Sequence, residues 1–223
     1  MSVGETAVVA IAVKKFLGLI VPKEIADEAI GMGVDVMRSY RTKLGVVLVK
    51  DVSDYFAKKG IDPRQVPVRF FAPYLEHATL HDEPDLHERW VALLRNAADP
   101  NFKEDVRPDF PFVLSQLSAK EVSLLDHLHF LTVEAAQVAA EQWGECGIGI
   151  EEVLSHCRPG TRDLGVLYMD NLMRLGLAAP GGHSFKNLVT GMQKVGNIGR
   201  RTLSLTSYGA AFVRACHTPK DAS

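Results

Sequence analysis

Apolar residues recur at helical spacing along almost the whole chain, and prolines and glycines cut that rhythm into pieces of helix length. From Glu5 to Ile20, Val9, Ala12, Val13, Phe16, Leu17 and Ile20 fall on one side, and Lys14, Lys15 and Gly18 on the other. This predicts an amphipathic helix ending near Pro22. With Pro22 in a first turn, the spacing resumes through Ile30, Val34, Met37 and Leu44 to Tyr55 and Phe56. Gly31, Gly33 and Gly45 each weaken that helix by about 1 kcal/mol against alanine, which calls for close packing or a break. Pro67 begins a helix carrying Phe70, Phe71, Tyr74, Leu75 and Ala78, and a polar break follows from His81 to Asp85. Asp85 is expected to cap a helix that buries Leu86, Trp90, Leu93, Leu94 and Ala97, with Asp99-Pro100-Asn101 closing it. Pro108 to Leu117 reads as a further helix, and Ser118 with Glu121 makes a capping box ahead of Val122, Leu125, Leu128 and Leu131. Thr132 to Ala139 reads as an additional helix, stopped at Gly144.

The last third carries the order of a winged helix, three helices and then a hairpin. Ser118 to Leu131 is the first helix, Ile150 to Cys157 the second, and Thr161 to Leu175 the third, with Thr161 as its N-cap and Gly176 as its stop. Leu164, Leu167, Tyr168, Leu172 and Leu175 are assigned to its core-facing side. Gly147-Ile148-Gly149 reads as a turn. After Leu177 the period changes: Arg200-Arg201-Thr202-Leu203-Ser204-Leu205-Thr206 alternates as a half-buried strand does. Gly181-Gly182 and Gly196 to Gly199 punctuate the wing, and a final helix returns Phe212 to the core. The expected fold is mainly α, a helical N-terminal bundle with a C-terminal winged-helix-like module carrying a small β-hairpin. The expected boundaries are 1–60 for N-terminal amphipathic helices, 61–117 for a helical core, 118–216 for the winged-helix-like domain and 217–223 for a loose tail.

With 223 residues, 47% of them hydrophobic, the chain has enough apolar material to bury a core. Its net charge of -2 gives no global attraction to nucleic acid. The charge is unevenly distributed, however. Between Arg158 and Arg214 eight basic side chains face two acidic ones, whereas Tyr74 to Asp109 holds nine acidic against four basic. Three cysteines, Cys146, Cys157 and Cys216, form no CxxC pair and are expected to be reduced thiols. The opening residues lack a basic start for a secretory signal, so a cytoplasmic location is expected. Ala7 to Val21 is interrupted by Lys14 and Lys15 and is too short to span a bilayer, although residues 7–21 could lie on a membrane surface.

The candidate binding residues are Arg158, Thr161, Arg162, Lys186, Lys194, Arg200 and Arg201. Thr161 and Arg162 stand at a helix N-terminus, where backbone donors and the dipole favour an anion, and Arg200 and Arg201 reach from the wing. The partner is either a protein, including a second copy, or nucleic acid; the third helix is poor in base-reading side chains. His77 and His81 lie one helical turn apart near Asp82, Asp85 and His87, but Pro84 separates them and no HExxH is present. His156-Cys157 with Cys146 matches no nucleophile or ligand signature. The glycine runs lack the frame of a phosphate loop. No catalytic residue, metal or cofactor is expected.

One run resembles a known family. Val66-Pro67, Pro73 to Leu80, and Asp85-Leu86-His87-Glu88-Arg89-Trp90-Val91-Ala92-Leu93-Leu94-Arg95-Asn96-Ala97-Ala98-Asp99-Pro100 are similar to the abortive-infection alpha family, Abi-alpha. Val106-Arg107-Pro108-Asp109-Phe110 and Leu117-Ser118-Ala119-Lys120-Glu121 continue the match, which spans roughly Ile25 to Leu131 and departs from the family run at Val91 and Arg95. The resemblance implies a prokaryotic helical protein of abortive phage infection, in which infected cells stop growing or die before the phage spreads, and it supplies no catalytic residues. Trp90, Leu94 and Asn96 are assigned to packing and helix termination. The expected function is therefore a non-enzymatic antiphage protein with a helical effector or interaction body and a winged-helix sensing module. The alternatives are a DNA-binding transcriptional regulator and a membrane-acting toxin working through the N-terminal helix.

Overall fold

In the computed structural model, which describes residues 3–22, 40–79, 83–138, 146–181, 183–184 and 202–217, the chain divides into two units. The first comprises Met1–Gln116 with Ala215–Ser223, and the second Leu117–Arg214. The first unit is built from α1 (Val3–Ile20), α2 (Tyr40–Lys59), α3 (Val68–Ala78), α4 (Pro84–Ala98) and the short α5 (Phe110–Leu114). On α1, Val13, Phe16, Leu17 and Ile20 are buried while Lys14, Lys15 and Gly18 are exposed, as the spacing predicts. Phe16 packs on Phe56 of α2 with ring centroids 5.8 Å apart, and the Val66 N–H donates to Ile20 O at 2.6 Å. The apolar stripe of α1 is thus part of the unit's core.

Of the three glycines expected to mark close packing, Gly31 and Gly33 lie outside the described residues. Gly45 shows the reason for its small size: a Cβ there would sit 3.1 Å from the Thr79 methyl. Aromatic side chains fill the space between α3 and α4. Tyr74 meets Trp90 edge-on at 5.6 Å and donates its buried hydroxyl to Trp90 O at 3.0 Å, which satisfies the one polar atom the ring carries inward. Burial also pushes the Tyr74 phenol well above its usual range. The start of α4 differs from expectation. Glu83 is its N-cap and Pro84 its first residue, with Asp85 inside the first turn, because proline's fixed φ suits that position and its missing N–H costs nothing there.

The second unit holds α6 (Ala119–Val138), β1 (Cys146–Gly149), α7 (Ile150–Cys157), α8 (Arg162–Arg174), β2 (Ala178–Pro180), β3 (His183–Ser184), β4 (Thr202–Leu205) and α9 (Ser207–Ala215), whose last residue belongs to the first unit. The capping box forms: the Ser118 N–H and hydroxyl both donate to Glu121 Oε2 at 2.8 Å, and the Glu121 N–H donates to Ser118 Oγ at 3.4 Å. The two helices expected from Ser118 to Ala139 are one. Thr132 does not break it, because its hydroxyl donates back to Leu128 O at 2.8 Å and so needs no other partner.

The sheet has the strand order β2-β4-β1-β3. β4 pairs antiparallel with β2 (Ala178↔Leu205) and with β1 (Ile148↔Leu203), and the two-residue β3 lies parallel to β1. Gly147-Ile148-Gly149, read from sequence as a turn, is therefore strand. A Cβ at Gly147 would sit 2.9 Å from Gly181 O and 3.0 Å from Leu203 O, so the glycine permits close strand approach rather than chain reversal. β4 is more enclosed than an alternating strand, with both Leu203 and Ser204 buried. α9 follows directly, and Phe212 is buried in it as expected. The protein is mainly helical with a small sheet near its C-terminus. No described helix is long and apolar enough to cross a membrane.

Two glycines make opposite predictions. At Gly209 a Cβ would fall 2.0 Å from Leu177 O, a backbone atom, so Gly209→Ala should cost on the order of 2–3 kcal/mol, read as a lower urea midpoint at unchanged slope. At Gly18, exposed in α1 with nothing within 4 Å of a new Cβ, alanine should add about 0.5–1 kcal/mol.

Candidate partner-binding surface

The turn between α7 and α8, Arg158-Pro159-Gly160-Thr161, carries three of the candidate residues. Arg158 caps α7 in the left-handed conformation, with φ 44 and ψ 58, and is the sole non-glycine at positive φ among the described residues. Its N–H donates to Leu154 O at 3.2 Å and its carbonyl accepts from Lys120 Nζ at 3.1 Å. The guanidinium is exposed and has no partner among the described residues. Thr161 is the expected N-cap of α8, accepting from the Leu164 N–H at 3.3 Å. Arg162 is exposed but engaged, its Nη1 2.7 Å from Glu151 Oε1. Lys186, Lys194, Arg200 and Arg201 lie outside the described residues. The structure thus brings Arg158, Thr161 and Arg162 to one turn.

The face that α8 shows to solvent differs from the expected one. Its buried positions are Gly165, Met169 and Leu172, and Leu167, assigned from spacing to the core, is 59% exposed. The helix is rotated so that Asp163, Leu167, Asp170 and Arg174 point outward. Two side chains hold it there. Asn171 Nδ2 donates to Glu121 Oε1 at 2.7 Å, and Arg174 donates through Nε and Nη2 to Asn171 Oδ1 at 3.1 and 2.7 Å. Asn171 is consequently turned toward α6 and is not offered to a partner. Gly165 allows the approach, since a Cβ there would stand 3.0 Å from the Leu154 side chain.

Among the histidines and cysteines of this unit, Cys157 is buried, His127 half-buried and His156 exposed. Ser123 Oγ lies 3.0 Å from His156 Nε2, an arrangement that invites a nucleophile reading. The same nitrogen lies 3.2 Å from Ser123 O, and a carbonyl only accepts, so Nε2 carries a proton and the serine hydroxyl accepts from it. That pair is not set to activate the serine. His156 stacks on His127 at 4.4 Å between centroids, and His127 Nε2 lies 3.4 Å from Glu152 Oε1. Burial pushes the Cys157 thiol up, which keeps it protonated and unreactive. Cys157 and Cys216 are free thiols. In the first unit His87 pairs with Asp51 at 2.9 Å, and His81 and Asp82 lie outside the described residues. No cluster of three or more His, Cys, Asp or Glu placed to hold a metal is present among the described residues.

A polar centre in the first unit was read only in part from the sequence, which assigned Asn96 to packing and helix termination without its partners. Arg95 and Asn96 are buried at the end of α4. Asn96 Nδ2 donates to Ala215 O at 2.8 Å and to His217 O at 2.9 Å, and Arg95 Nη2 donates to His217 O at 3.2 Å while its guanidinium lies 4.6 Å from the Tyr55 ring centroid. The carbonyls just where α9 runs out of helical donors are thereby satisfied by side chains of α4. On the other side Arg64 closes α4 itself, its N–H donating to Ala98 O at 2.7 Å and its Nε to Ala97 O at 2.9 Å. The available signal was two polar residues, Arg95 and Asn96, directly after Leu93 and Leu94 on a face otherwise apolar.

The family model for abortive infection alpha matches residues 47–216. No curated protein and no solved structure matches the chain.

Two substitutions check these assignments. Asn96→Ala should cost about 2–3 kcal/mol, because buried carbonyls lose their donors, whereas Asn101→Ala should change thermal stability little. Arg158→Gly should stabilise by roughly 0.5–1 kcal/mol by relieving the left-handed backbone, with Arg158→Ala near neutral. A drop in melting temperature for Arg158→Gly would show that its side chain holds the turn.

Proposed function

The chain belongs to the abortive infection alpha family, and we propose on that premise that it is a non-enzymatic antiphage protein whose second unit senses a partner while the helical body of the first acts on the cell. The second unit supports a winged-helix reading. Its elements run helix, strand, helix, helix, then three strands and a closing helix, and β4 lies between β2 and β1, which is how a wing hairpin joins the strand that precedes the second helix. In that reading α8 takes the place of the recognition helix.

The observation that carries a protein partner is the outward face of α8. Leu167 is more than half exposed there, in company with Asp163 and Asp170. A phosphate backbone gains nothing from leucine and is repelled by carboxylates, whereas protein interfaces are built around apolar anchors with polar rims. Arg162, the cation nearest the helix start, is already paired with Glu151. The first unit, with the stripe of α1 folded into its core, is read as the effector or interaction body rather than as a membrane-inserting helix.

A phage challenge of bacteria expressing the chain tests the function. Cultures should survive when phage are few per cell and collapse when phage outnumber cells, because abortive infection sacrifices each infected cell. Survival under both regimes would refute an abortive role. Leu167→Glu, which leaves the core untouched, should abolish the protection, and full protection by that variant would refute sensing through α8.

A further inference from the structure

We infer that α8 can seat in two rotational settings about 100° apart, one residue's turn of a helix, and that the contact between Asn171 and Glu121 is the lock holding the one observed. α8 is the helix on which the sensing role rests, and the lock adds how its outward face is controlled. The helix carries two apolar stripes. Gly165, Met169 and Leu172 form the buried one. Leu164, Leu167, Tyr168, Leu172 and Leu175 form another at the same helical spacing. Of these only Leu172 is buried, while Leu164, Tyr168 and Leu175 are half-buried and Leu167 is exposed.

Asn171 decides between the stripes. It falls in the middle of the second one, so a rotation that buried Leu164, Leu167 and Tyr168 would carry its amide into the core, where a polar group parted from its partners is costly. In the observed setting the amide lies at the flank of the buried face, with Nδ2 donating to Glu121 Oε1 at 2.7 Å and Oδ1 accepting from Arg174. Gly165 favours the same setting, because it lets α8 approach the Leu154 side chain more closely than a larger residue could. With leucine at 171 the second stripe becomes apolar along its length and offers more carbon to bury than glycine, methionine and leucine do. A partner that grips Leu167 holds the first setting, and rotation withdraws that side chain, so occupancy of the face and the rotation of α8 are linked.

The test uses the full chain carrying Leu167→Cys or, separately, Met169→Cys, with the rate of thiol alkylation read peptide by peptide so that the native cysteines do not interfere. With Asn171 in place, position 167 should react fast and position 169 slowly. Asn171→Leu is then combined with Glu121→Gln, which keeps a capping-box residue and leaves no buried carboxylate without its donor. This pair should slow position 167 about tenfold and quicken position 169 about tenfold. Opposite changes are the signature of rotation, because simple loosening of the unit quickens both positions. Both quickening, or neither changing, would overturn the inference. Where the leucine variant does not fold, Asn171→Ala should give the same opposite changes at smaller size. Labelling needs neither phage nor partner, so its failure removes only the second setting and leaves the sensing role to be judged by the phage challenge.

Discussion

One buried carboxylate sets how the second unit faces the solvent. Glu121 is 5% exposed, and both of its oxygens are satisfied, Oε2 by the backbone and hydroxyl of Ser118 and Oε1 by Asn171. A buried carboxylate left with one oxygen unpartnered would be strongly destabilising, so the capping box and the Asn171 contact stand or fall together. The tie also fixes α8 about its own axis. With Asn171 turned toward α6, Leu172 and Met169 enter the core and Leu167 comes out. A rotation that buried Leu167 would pull Asn171 from Glu121, so the exposure of that leucine follows from a polar constraint and not from a failure of packing.

The same economy of helix ends organises the first unit. α4 ends in the run Arg95-Asn96-Ala97-Ala98-Asp99-Pro100, and each polar member has a backbone task. Arg95 and Asn96 receive the carbonyls of Ala215 and His217, and Asp99 Oδ1 accepts from the Asn101 N–H at 2.8 Å to start the turn. Ala97 and Ala98 are small and buried, and their carbonyls go to Arg64. This closing run of α4, part of the family resemblance, is therefore explained by helix termination and chain closure.

Helix positions were legible in the sequence wherever a stripe met a single neighbour. The faces of α1, α3 and α4, the capping box at Ser118 and the return of Phe212 all follow from periodicity and local hydrogen-bonding chemistry. What escaped depended on partners far along the chain. β1 is four residues long with two glycines, a pattern identical to a turn until β4 lies beside it. Leu167 fits the apolar stripe of α8 by spacing, and only the distant Glu121 explains why the stripe is displaced. Asn96 reads from sequence as a packing and helix-terminating residue, but its acceptors and the burial of Arg95 beside it depend on the end of the chain. Local rules see neither a pairing strand nor a carbonyl more than a hundred residues away.

The charge count is placed only in part, since Lys186, Lys194, Arg200 and Arg201 lie outside the described residues. Eight basic residues against two acidic ones between Arg158 and Arg214 suggest a field drawing in phosphates, but a count carries no directions. On α8 the two acidic residues of that interval point outward, while its two arginines are held by Glu151 and Asn171. Arg158 remains exposed at the adjoining turn, held in a conformation glycine would adopt more readily. The outward side of α8 thus shows Leu167 beside Asp163 and Asp170, while Arg162 and Arg174 reach to Glu151 and Asn171.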